Sequence, residues 1–188
     1  MGKKKTLEED KEELPLIVCL GDFREIKRVK THEKEAFNMS SSNASFPGSE
    51  TLLDFAQPFD VTVLDAVVNA FYSPGGNPQL RAEAEQIMKQ MQEHEHSWTR
   101  VDGILEHSKS ANTKFFALQI LDSVIKFRWG SLPLEQREGI KNFISNLVIS
   151  LSGDEQLFRK ERAYVTKINN VLVQIVKHDW PHRWPSFI

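Results

Sequence analysis

The chain has 188 residues, 40% of them hydrophobic and 27% charged, with 24 Lys and Arg against 26 Asp and Glu. That length suits one packed domain or a short stack of repeats and argues against a second full domain. A net charge of −2 supplies no general positive field for a phosphate backbone, so nucleic acid is not an expected partner.

Residues 1–50 alternate charge clusters with one apolar run, Leu14 to Leu20, which Pro15 interrupts. The run falls far short of the roughly 20 residues that cross a bilayer. Acidic residues from Glu8 to Glu13 precede it where a secretory signal would be basic, so neither export from the cell nor a membrane anchor is expected. The single cysteine, Cys19, can form no internal disulfide and no Cys-based zinc site, which fits a reducing compartment. Met1 to Thr6 fits the loose myristoylation pattern, and Asn38 and Asn43 begin glycosylation sequons; matches this short often arise by chance. Ser40-Ser41-Ser42-Asn43, Pro47 and Gly48 close the segment with residues that favour coil. Residues 1–50 are expected to form a disordered N-terminal tail, with Met39 an alternative initiator.

From Thr51 the pattern changes to amphipathic helices. Asp60 is placed to cap a first helix striped by Val61, Leu64, Val67, Val68 and Phe71, and Ser73-Pro74-Gly75-Gly76-Asn77 ends it in a tight turn. Pro78 then opens a returning helix with Leu80, Ala84, Ile87, Met88 and Met91 on its apolar side. Ser97 is the expected cap of the third helix, carrying Trp98, Val101, Ile104 and Leu105, and Asn112 the expected cap of the fourth.

The fourth helix, Thr113 to Trp129, holds Phe115, Phe116, Leu118, Ile120, Leu121, Val124, Ile125 and Phe127, apolar on nearly every side. Such a helix is expected to lie between neighbours as the central element. Pro133 starts the fifth, striped by Ile140, Phe143, Ile144, Leu147, Val148 and Leu151, and Gly153 stops it. Tyr164, Val165, Ile168, Val171, Leu172, Ile175 and Val176 mark the sixth.

Helix pairs thus start near Asp60, Ser97 and Pro133, about 37 residues apart, and a fourth start falls near Pro181. The predicted fold is all-α: a right-handed α-solenoid of about three HEAT-type hairpins plus the start of a fourth, over residues 51–188. A helical bundle is the alternative, which periodicity separates poorly from a solenoid.

No catalytic or metal constellation emerges. His94 and His96 are two apart, about 200° around a helix, and Pro181 separates His178 from His182. Gly75-Gly76 lacks the Lys-Ser/Thr of a phosphate loop. No cofactor or metal is expected, and the chain is read as a binding protein rather than an enzyme. Trp180-Pro181 and Trp184-Pro185 read as a repeat-to-repeat corner packed by both indoles, with Pro181 ending one helix and opening the next.

That tandem Trp-Pro ending resembles a signature of the importin-β superfamily of nuclear transport receptors. The resemblance continues through Lys167 to Lys177, Asn112 to Leu121, Val124 to Trp129, Leu132-Pro133, Leu53-Asp54-Phe55 and Val61 to Asp65. It is closer to the exportin-1 branch than to an importin or a tRNA exportin, over about residues 52–188, and it implies an importin N-terminal type domain at about 84–150. It further implies binding of the GTP form of the GTPase Ran through the N-terminal repeats, with shuttling between nucleus and cytoplasm past nucleoporins. Cargo bearing leucine-rich export signals would bind in later repeats, beyond the end of this chain at Ile188. Neither nucleic acid nor membrane is an implied partner.

Second helices of such hairpins line the concave side, which makes Gln119, Lys126, Lys167, Asn169 and Gln174 the candidate Ran contacts. The plainer reading is that Asn169 and Gln174 satisfy each other or backbone groups between stacked repeats, and that Lys126 and Lys167 are simply solvated. A generic HEAT scaffold without Ran dependence is the alternative function. Limited proteolysis is expected to remove residues 1–50 first. Protection of Leu14 to Leu20 equal to that of the helices would show that the segment docks.

Overall fold

The computed structural model describes residues 46–153 and 155–187. The expectations for Cys19, the Leu14 to Leu20 run, Met39, the acylation pattern and the sequons fall outside these residues. The described residues lie in one compact unit, Asn43–Ile188.

Among them every regular element is helical. Helix α1 is Val61–Tyr72, α2 Pro78–Glu93, α3 Val101–His107, α4 Ala111–Arg128, α5 Leu134–Ser152, α6 Glu155–Lys160 and α7 Arg162–Asp179. Short 3-10 turns at Ser49–Leu52, Ser97–Arg100, Trp129–Ser131 and Pro185–Phe187 join or flank them. The short α6 has no counterpart in the predicted set.

Several boundaries follow from local chemistry. Asp60 accepts a hydrogen bond from the Thr62 N–H at 2.8 Å and caps α1. Gly75, at φ 77°, closes the first hairpin, in a left-handed conformation that a side chain would disfavour. Asn77 caps α2 through the Gln79 N–H, with Pro78 in the first turn. Pro133 and Gly153 bound α5 as expected.

Two expected caps are corrected. Ser97 does not cap α3: its hydroxyl donates to the Met91 carbonyl, and a 3-10 turn intervenes before Val101. Ser110, not Asn112, caps α4, accepting from the Thr113 N–H. Contacts from the first hairpin favour that choice: the Ser110 hydroxyl donates to Asn69 Oδ1 at 2.9 Å, and Ser108 donates to Asp65 Oδ1 at 2.6 Å.

Helix α4 is the central element, packed against α1, α3 and α7. It buries Phe116, Ala117, Leu118, Ile120, Leu121, Val124 and Ile125, while Phe127 departs from the predicted pattern and is 60% exposed. Three contacts give the direction of its neighbour. Phe115 meets Tyr164, Lys167 reaches Asp122, and Trp129 bonds Asp179, in the same order along both helices. Helices α4 and α7 therefore run parallel, as second helices of successive hairpins must, whereas neighbours in an up-and-down bundle run antiparallel. The fold is an all-α stack of HEAT-type hairpins.

Arg100, only 8% exposed, ties the segment before α1 to the second hairpin. Its guanidinium donates to the carbonyls of Thr51, Leu52, Asp54 and Gln57 and lies between the rings of Phe55 and Phe59, 4.2 and 4.5 Å from their centroids. Leu52 is fully buried and Phe46 packs on the core, so packed structure starts a few residues before Thr51.

At the other end the predicted corner is rearranged. Trp180 is 46% exposed, whereas Trp184 is partly buried against the core, with the Lys141 ammonium 5.3 Å from its ring centroid. Pro181 follows a cis peptide bond and opens no helix; Pro185 begins the last 3-10 turn. The buried indole is Trp129, whose Nε1–H donates to Asp179 Oδ1 at 2.9 Å. Lys141, 1% exposed, pairs with Asp179 Oδ2 at 3.3 Å. Replacing Asp179 by Ala leaves the buried Trp129 N–H without its acceptor and takes from Lys141 its one buried counter-ion, and is expected to cost about 3 kcal/mol. Trp180→Ala is expected to cost about 1 kcal/mol or less. Urea unfolding of both variants checks this, and equal losses would contradict the arrangement.

Candidate protein-binding face

The candidate residues sit on α4 and α7. Gln119, Asp122 and Lys126 are spaced i, i+3 and i+7 on α4, so they share one face. Lys167 and Gln174 are likewise seven apart on α7. Where the helices meet, Lys126 Nζ lies 2.9 Å from Asp122 Oδ2 and Lys167 Nζ lies 3.4 Å from the same oxygen. The two candidate lysines, simply solvated on the plainer reading, are thus held together by one carboxylate.

Asn169 does not join them. Two residues beyond Lys167, it is about 200° around the helix, and it stands about 140° from Gln174. The two amides therefore face different directions and are not placed to satisfy each other. Asn169 is exposed, while Gln119 and Gln174 are half-buried.

Exposure grades the cluster: the side chains of Lys126, Lys167 and Asp122 are 41%, 24% and 15% accessible. Asp122 is not among the contacts predicted from the sequence. Its i, i+4 spacing to Lys126 was visible; its proximity to Lys167, 45 residues on, was not. With two cations and one anion, the cluster carries one net positive charge.

The histidines lie elsewhere. His94 ends α2 and stacks on Phe55 at 4.1 Å between centroids, and His178 lies in the last turn of α7, its ring 6.4 Å from that of Trp129. Among the described residues no group of three or more His, Cys, Asp or Glu is placed to hold a metal, and no helix is long and apolar enough to cross a membrane.

The Importin-beta N-terminal domain family matches residues 84–150, which run from α2 through most of α5. The Exportin 1-like protein family matches residues 161–188, covering α7 and the Trp-Pro segment. Protein EXPORTIN 1A of Arabidopsis thaliana is 53% identical over 140 residues, 74% of this chain and 13% of that protein. Exportin-1 of Dictyostelium discoideum is 47% identical over 139 residues, and Exportin-1 of Drosophila melanogaster 46% over 137, covering 74% and 73% of this chain and 13% of each relative. The chain belongs to the exportin-1 family. It spans about 13% of the length of these exportin-1 relatives. Within the exportin-1 family match, the segment 161–188 includes both Lys167 and Asp179, so it contributes to the exposed charge cluster and to the buried one.

Proposed function

We propose that this chain is the N-terminal, Ran-binding region of a nuclear export receptor, contacting the GTP form of Ran through the shared face of α4 and α7. Membership of the exportin-1 family carries this reading. In repeats of this kind the second helices line the concave side, and α4 and α7 are the second helices of their hairpins. Gln119, Lys126, Lys167 and Gln174 are the proposed contacts, with Asn169 set apart by its position on α7.

The full receptor would carry leucine-rich-signal cargo from nucleus to cytoplasm. Ran-GTP and cargo would each favour the same closed receptor, so each would raise the affinity for the other. GTP hydrolysis in the cytoplasm would then release both. Ran supplies the chemistry and the receptor supplies a surface, with no cofactor of its own. Nucleoporins are partners of the whole receptor on the same reading, which places it in both nucleus and cytoplasm.

The test is binding of this chain to Ran loaded with GDP or with a non-hydrolysable GTP analogue. Preference for the GTP state is expected, with fast dissociation because contacts from further repeats are missing. Equal binding to both states would favour a HEAT scaffold without Ran dependence. Lys126→Gln combined with Lys167→Gln is expected to weaken binding at least tenfold, on the order of 1.4 kcal/mol, without unfolding the chain. A folded double variant with unchanged binding would place the contact face elsewhere.

A further inference from the structure

We infer that Asp122 is a positioning residue that presets Lys126 and Lys167 as a two-pronged receptor for a carboxylate on the partner protein. The inference rests on the α4–α7 face being the contact surface. Both ammonium groups bond the same oxygen, Asp122 Oδ2, at 2.9 and 3.4 Å, one from within α4 and one from α7. Each ammonium has three donors, so each keeps others for a ligand. One carboxylate leaves the pair of cations with a positive charge in excess, and an acidic side chain is the ligand that neutralises it.

Lysine side chains carry considerable rotamer freedom, and ordering them is a cost of binding. Asp122 meets part of that cost before the partner arrives. Its side chain is the least exposed of the three, at 15%, which fixes the anchor at the helix junction and leaves the cations on the accessible side.

Two roles for Asp122 predict opposite signs. Were it only a neutralising charge, Asp122→Asn would make the face more positive and tighten its hold on an acidic partner. As a positioning residue, its loss frees both lysines and weakens binding. The probe is Ran loaded with a non-hydrolysable GTP analogue, with association and dissociation followed at two salt concentrations.

Asp122→Asn is expected to weaken binding about tenfold, mainly through faster dissociation, while the melting midpoint stays near that of the parent. Asp122→Glu, still able to pair with Lys126 at i, i+4, is expected to restore most of the affinity. In the Lys126→Gln, Lys167→Gln background Asp122→Asn should add no further loss. Unchanged or tighter binding by Asp122→Asn, with weaker binding by the lysine variant, overturns the positioning role and leaves the face intact. Unchanged binding by the lysine variant removes the face and the inference with it.

Discussion

The described structure depends on the carboxylate of Asp179 at the end of α7. It accepts from the Trp129 indole after α4 and pairs with the Lys141 ammonium of α5, both almost wholly buried. Its backbone carbonyl accepts from the N–H groups of Arg183 and Trp184 at 2.7 and 3.0 Å, folding the terminal segment back. Lys141 also reaches the Arg183 carbonyl at 3.4 Å and Glu138. A buried charge is tolerated only when paired and hydrogen-bonded. Apolar packing would accept several small displacements of these helices, but this set of directed bonds is satisfied only when α4, α5 and α7 meet in one register. The same parallel alignment brings Lys167 to Asp122 further along α4 and α7.

Helix existence and type were legible because the apolar stripes are long and the punctuation is strong. Asp60 acts through its own side chain on the adjacent turn, and the Pro74-Gly75 turn, Pro78, Pro133 and Gly153 through their own backbone, so their positions follow from sequence alone. The α4 cap was less legible for an equally local reason. Ser108, Ser110 and Asn112 are all competent caps, and contacts to Asp65 and Asn69 on α1 favour Ser110. Ser97 looked like a cap, but a 3-10 turn from Ser97 to Arg100 sets it back from the start of α3 at Val101.

The misread residues share a different cause. Periodicity assigns burial by residue type, and so passes over a lysine on an apolar stripe or an aspartate at a helix end. Lys141 lies between Ile140 and Ile144, both buried, and is itself among the least exposed residues. The indoles were misassigned for the same reason: Trp180 and Trp184 read alike, yet Trp180 caps the C-terminus of α7 at 46% exposure while Trp184 turns toward Lys141. Trp129, in an unremarked 3-10 turn, takes the buried position because its N–H has the Asp179 carboxylate to meet.

The two aspartate–lysine clusters use the same ions for different ends, and solvent access separates them. At Asp179 and Lys141 both side chains are 2% accessible, so water cannot replace either partner and the pair behaves as part of the core. At Asp122 the lysines are 41% and 24% accessible, so water already competes for them and the pairing contributes little to folding. An interaction that adds little to stability can still orient its partners, and each ammonium keeps donors for a further ligand. The buried carboxylate can therefore fix the alignment of α4 and α7, and the exposed one, on the same two helices, is free to arrange charges for a partner.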